Sequence, residues 1–247
     1  MGPVFFTPYA ADLAARVDPA RLPLFELASG TGRLTAALLD CIGGAAVTAL
    51  DLNFAMQRVA RSRISDRRAR WVTGDALALP FSDRSFAQAV CQFGVMFFPD
   101  KTRAAAEMKR VLTRGGTFLF NVWDSLEVNP LARVARDVVG RFFAVDPPTF
   151  FQVPFGYFES DRIRRDLRDG GFASAEIETV DLRGRCESAR HIAIGLVQGS
   201  PLVGAIQERG TASPAAITDA VAGALEREFG SGSFEAPMRA LVVRAIA

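Results

Sequence analysis

The 247-residue sequence predicts an α/β fold on a doubly wound, mostly parallel sheet of about seven strands, the last antiparallel, with a helical cap. Three observations predict it. Short apolar runs alternate with helically spaced segments through the first half, the pattern of βαβ units with right-handed crossovers. A glycine turn, Gly30-Thr31-Gly32, joins the first buried run to a helical segment. The second and third runs end in acids, at Asp51 and at Gly74-Asp75.

The elements follow in order. A helix over 8–17 precedes a strand over 22–27, and a helix over 33–41 follows the glycine turn. Strands over 47–51 and 69–73 flank a helix over 54–64, and strands over 87–93 and 116–122 flank a helix over 101–112. Arg114-Gly115-Gly116 reads as helix-stop chemistry. Residues 124–159 are rich in Phe and Pro and hold a helix over about 130–143 and then an irregular apolar loop. Ser160 reads as the cap of a helix that runs to Asp169 and stops at Gly170-Gly171. A strand over 172–182, helices over 188–198 and 213–229, and a final strand over 239–246 complete the pattern, with Ser213-Pro214 as a cap and first-turn pair.

Composition narrows the function classes. With 27 arginines and two lysines against 27 acids, the net charge of +2 makes no case for a nucleic-acid partner. The arginines between Arg58 and Arg70 read as a solvated outer face. Three widely spaced cysteines have no metal-ligand spacing and form no disulfide framework, and Cys91 reads as a small buried hydrophobe. Neither a signal peptide nor an apolar run of membrane-spanning length is evident, so the expected location is the cytoplasm.

The acid at Glu26 sets the glycine turn apart. A phosphate cradle disfavours a carboxylate four residues before its first glycine, whereas a cationic ligand favours one. Gly30-Thr31-Gly32 alone also serves NAD, and Asp51, 19 residues after Gly32, can hold two ribose hydroxyls in either case. A dinucleotide site calls for a third small residue where this chain has Arg33-Leu34-Thr35. Asp75 can accept a hydrogen bond from an exocyclic amine, and the Ala76 N–H can donate to a ring nitrogen. Cys91-Gln92-Phe93-Gly94 closes the fourth strand beside the crevice.

Together, residues 25–32, 51–56, 74–81, and Arg110-Val111-Leu112 with Gly115-Gly116 resemble the Rossmann-like class I S-adenosylmethionine-dependent methyltransferases, in particular the ubiquinone/menaquinone-biosynthesis branch. The specific likeness covers residues 8–122. It implies S-adenosylmethionine as cofactor and S-adenosylhomocysteine as product. It implies that Glu26 faces the methionine end, with Ser29, Gly30 and Gly32 shaping the turn beneath it. Asp51 would bind the ribose, Leu52 and Met56 would pack on the adenine, Asp75 and Ala76 would read its edge, and the Gln92 carbonyl would line the methionine side. The chain departs from the usual pattern at Ala87 and Asn53.

The expected organisation is one domain, 1–247, with a cofactor-binding core at 8–123 and inserts at 124–160 and 183–233 forming a substrate cap. The expected activity is methyl transfer to a small hydrophobic or aromatic acceptor, with a homodimer admissible. Phe93, Tyr157 and His191 are the candidates for acceptor contact, and no metal is called for. Two rivals stay open at this point: an NAD(P)-dependent oxidoreductase, and a cofactor-binding module without catalysis.

Overall fold

A computed structural model describes residues 2–247. In chain order the helices are α1 (Thr7–Ala15), α2 (Arg33–Cys41), α3 (Phe54–Arg63), α4 (Lys101–Val111), α5 (Pro130–Gly140), α6 (Ser160–Asp169), α7 (Ala189–Val197), α8 (Leu202–Arg209) and α9 (Pro214–Phe229). The strands are β1 (Leu24–Leu27), β2 (Val47–Asp51), β3 (Ala69–Thr73), β4 (Phe86–Gln92), β5 (Leu112–Trp123), β6 (Ser174–Cys186) and β7 (Phe234–Ile246). These elements make two compact units. One comprises 9–123, 157–180 and 240–247, and the other comprises the residues up to Pro8 with 124–156 and 181–239.

The first unit is organised by the sheet, in the order β3-β2-β1-β4-β5-β7-β6. The pairs β2–β3, β1–β2, β1–β4 and β4–β5 are parallel, and β7 runs antiparallel to β5. All four residues of β1 are buried, as a central parallel strand requires. Phe25 lies at the heart of an aromatic group, stacked on Phe86 at 4.9 Å and edge-on to Phe81 at 5.1 Å. The chain leaves β1 toward β2 on one side, and β4 lies on the other, so the strand order reverses there. Ligands of open α/β sheets bind at such a switch point, outside the carboxyl ends of the strands.

Several boundaries differ from the sequence expectation, each for a local reason. The first strand begins at Leu24 rather than Leu22, because Pro23 has no N–H for the ladder and offers only its carbonyl, to Ala87 N and Gln88 N. Helix α4 already ends at Val111, and Leu112 starts β5. Gly115, at φ 71°, sits inside that strand and donates to Ala247 O, so the Arg114-Gly115-Gly116 run is not a helix stop. Ser160 is the first residue of α6 rather than its cap, and Glu159 holds the cap position without a side-chain bond. Ser213 does cap α9, accepting from Ala216 N. Strand β6 extends to Cys186, β7 begins at Phe234, and α8 occupies a stretch with no expected element.

The second unit is mainly helical. Helix α9 packs against both α5 and α7 through buried Ile217, Val221 and Leu225. Asn129 anchors the start of α5: its Nδ2 donates to the carbonyls of Asp124, Ser125 and Arg239, and its Oδ1 accepts from Arg239 N at 2.9 Å. Phe143 and Phe151, from the Phe-rich stretch, are buried.

Candidate functional site

The carboxyl ends of β1, β2 and β3 carry the three acids. Glu26 lies on β1 between Ala49 of β2 and Val90 of β4, and only 1 % of its surface is exposed. Its Oε2 accepts a 2.6 Å bond from Thr35 Oγ1, on the buried face of α2. Burial pushes the Glu26 carboxyl up to about 8, Asp51 adds to the rise, and the Thr35 bond only partly offsets it. A carboxyl so placed is neutral at pH 7, and a neighbouring cation would draw out its proton.

The turn after β1 needs its glycines. Ala28, Gly30 and Gly32 all have positive φ, at 56°, 54° and 81°. A Cβ at Gly32 would meet Ile64 Cδ1 at 2.7 Å, whereas one at Gly30 would point into open space. Ser29 is buried and donates its N–H to Leu50 O. Its Oγ has no hydrogen-bond partner, which leaves a buried hydroxyl for a polar ligand to satisfy.

Asp51 ties this turn to β2. Its Oδ2 accepts from Gly30 N and its Oδ1 from Asn53 N, both at 2.7 Å. Each oxygen keeps a further lone pair, so the carboxylate can still accept from a diol. Beyond it Leu52 is 71 % exposed and Met56 45 %, an apolar surface where β2 turns into α3. Asn53 caps α3 through Ala55 N and Met56 N, a structural use for the residue that departs from the family pattern. Gly74 N donates to Asp51 O, which brings the loop after β3 alongside. In that loop Asp75 Oδ1 accepts from Leu77 N and the carboxylate is exposed, while Ala76 is buried.

At the end of β4, Gln92 is half-buried. Phe93 is buried and stacked on Trp123 at 3.9 Å, with Tyr9 edge-on to both rings. Tyr157 is buried and donates to Asp166 Oδ2 at 2.8 Å, with Lys101 Nζ 4.9 Å from its ring centroid. Burial and the Asp166 carboxylate hold the Tyr157 hydroxyl well above the usual phenol range. Beside it a cavity of about 10 Å³, lined by Leu27, Val95, Phe98 and Lys101, has room for a single water. His191 lies in the helical unit, exposed, with Nδ1 2.9 Å from Glu187 Oε2. The expected acids, glycines and Gln92 therefore gather along one sheet edge.

Sequence reasoning missed Thr35, the partner of Glu26. The signal was a polar residue between Leu34 and Leu38 on an otherwise apolar helix face. It also missed the positive φ of Ala28 and Phe93, which no residue type announces.

Residues 25–120 match the methyltransferase domain family. The strand order, the antiparallel β7 and this match place the chain among proteins of the class I methyltransferase fold. Within that class it is similar to the ubiquinone/menaquinone biosynthesis C-methyltransferase of Methylobacterium nodulans, at 40 % identity over 124 residues, 49 % of this chain and 48 % of the relative. The chain thus spans about half the length of that relative. Among solved structures, the YcgJ protein of Bacillus subtilis superposes with a TM-score of 0.62 at 16 % identity, covering 97 % of this chain and 98 % of that one. Phosphoethanolamine N-methyltransferase 2 of Haemonchus contortus, in complex with phosphomonomethylethanolamine and S-adenosylhomocysteine, gives a TM-score of 0.61 at 15 % identity, covering 100 % of this chain and 54 % of that one.

Proposed function

We propose that this chain binds S-adenosylmethionine along the β3-β2-β1-β4 edge and transfers its methyl group to a small hydrophobic or aromatic acceptor. The observation that carries the reading is Glu26. A carboxyl sealed at the end of the central strand, with its pKa raised to about 8, calls for a cation rather than a pyrophosphate. This disfavours a dinucleotide in the same turn. The partnerless Ser29 Oγ and the free lone pairs of Asp51 fit the polar parts of the same ligand. The likeness of residues 25–120 to the methyltransferase domain, and the similarity to a C-methyltransferase of ubiquinone/menaquinone biosynthesis, support the activity and an aromatic acceptor.

In this reading Asp51 holds the ribose hydroxyls, Leu52 and Met56 cover the adenine ring, and Asp75 with the Ala76 N–H reads its edge. Glu26 and Ser29 face the methionine end, Gly30 and Gly32 let the ligand approach the backbone, and the Gln92 carbonyl lines the same side. When bound, the cofactor supplies an electrophilic methyl group and its own leaving group. The chain's residues contribute orientation, worth up to ~7–11 kcal/mol for a well-aligned pair of reactants, and exclusion of water.

Calorimetric titration with S-adenosylhomocysteine and with NADH tests the assignment. Binding of the first, its loss in Asp51→Ala, and no response to NADH are expected. Binding of NADH alone would overturn it.

A further inference from the structure

The site described so far makes no use of Asn121. This residue lies on β5 opposite Gln92, and its side chain is wholly buried. Its Oδ1 accepts the Phe93 backbone N–H at 2.9 Å, and its main-chain carbonyl accepts the same N–H at 3.2 Å. Phe93 has φ of 49°, a conformation a bulky residue keeps only when its surroundings hold it there. The next residue, Gly94, is pressed against the glycine turn. A Cβ at Gly94 would lie 2.6 Å from Ala28 Cβ and 2.6 Å from Cys91 Sγ, and Ala28 is itself at φ 56°. The loops leaving β1 and β4 are therefore packed together, each with a non-glycine residue in the left-handed region. Asn121 Nδ2 has no partner, so the bond to Phe93 is what orients the carboxamide. With the amide turned round, Nδ2 would face the Phe93 N–H donor to donor.

We propose that Asn121 is a positioning residue for the methionine end of the cofactor. By clamping Phe93 it fixes the turn over 92–94, which carries the Gln92 carbonyl. The inference rests on the proposed function, which lays the cofactor along the sheet edge from Asp75 on the β3 side to Gln92 on β4. Neighbouring strands are ~4.8 Å apart, so the clamped turn lies several strands from the adenine and next to the amino-acid end. Loosening it weakens a ligand that has that end and spares one that stops at the thioether.

The test is calorimetry with S-adenosylhomocysteine and with 5′-methylthioadenosine, which lacks the amino-acid portion, on wild type, Asn121→Ala and Asn121→Asp. Aspartate at this position keeps an oxygen that accepts from Phe93 N and replaces the partnerless Nδ2 with a second carboxyl oxygen, which burial keeps protonated at mildly acidic pH. In Asn121→Ala the Kd for S-adenosylhomocysteine is expected to rise about tenfold or more, while that for methylthioadenosine stays within about twofold. Asn121→Asp at pH 6 is expected to restore the first to within about threefold of wild type. Equal weakening of both ligands, unchanged binding in Asn121→Ala, or failure of Asn121→Asp to restore it would overturn the inference. If Asn121→Ala does not fold, Asn121→Ser, too short to reach Phe93 N, takes its place in the same comparison. Failure of wild type to bind either ligand would instead overturn the cofactor assignment, and the inference with it.

Discussion

Replacing Glu26 with glutamine removes the one titration that burial has displaced furthest among the acids of the site. In the folded, ligand-free protein the carboxyl is held neutral, its pKa raised from the ordinary 4.5 to about 8. The folded state then binds a proton more tightly than the unfolded chain does. The stability contributed by this group is complete below about pH 4.5 and is lost as pH rises through about 8. The loss runs at up to ~1.4 kcal/mol per pH unit, about 5 kcal/mol across the whole window as an upper bound. Glutamine keeps an oxygen for the Thr35 hydroxyl and does not titrate. Urea denaturation without ligand at pH 6, 7, 8 and 9 should show the variant gaining on wild type by roughly 2–3 kcal/mol between pH 6 and 8, with little further change above. A ligand cation beside Glu26 reverses the preference. Near pH 7, S-adenosylhomocysteine binding should expel close to one proton from wild type and none from the variant, read as the dependence of calorimetric heat on buffer ionisation enthalpy. Parallel stability curves for the two proteins would refute the reasoning, because they would mean that Glu26 is ionised in the folded state.

Further outcomes are expected from the same geometry. Asp51→Ala strips the acceptor from Gly30 N and Asn53 N, and should cost ~1–3 kcal/mol in urea denaturation besides weakening S-adenosylhomocysteine at least a hundredfold by calorimetry. Gly32→Ala, at φ 81° with Ile64 in the way, should cost ~1–3 kcal/mol of stability, clearly more than Gly30→Ala, whose added methyl meets nothing. Tyr157→Phe leaves half-buried Asp166 without its donor and should lower the melting temperature without changing S-adenosylhomocysteine affinity. His191→Ala removes an exposed pair with Glu187, so stability should change by less than ~1 kcal/mol and S-adenosylhomocysteine release should stay within about twofold of wild type.

Much of the fold was legible because it is written in local pattern. Runs such as Leu24–Leu27 and Val47–Asp51 are short, apolar and bounded by turn residues, so their strand character needs no partner to be recognised. The acids at successive strand ends were readable from motif order, and the antiparallel last strand came with the fold that the family resemblance implied. Boundaries were less legible where pairing decides them. Gly115 reads as a helix stop, yet its hydrogen bond to Ala247, far away in sequence, makes it part of β5. Helix α8 carries glycine near its start and ends in Gly210, weak signals beside the tertiary contacts that bury Leu202 and Ile206.

The sequence by itself determined the order of the elements, the glycine turn and the three acids, because side-chain period, turn chemistry and charge are properties of neighbours in the chain. Tertiary structure alone decided what those groups are physically. Only burial between β2 and β4 turns Glu26 from an acid into a neutral carboxyl, and only the pairing of β4 with β5 brings the Asn121 side chain to the Phe93 N–H. It also gave Tyr157 a bond to Asp166 and His191 an exposed partner in Glu187. Desolvation, strain and hydrogen-bond satisfaction depend on what surrounds a group in space, and no local pattern of residues encodes that.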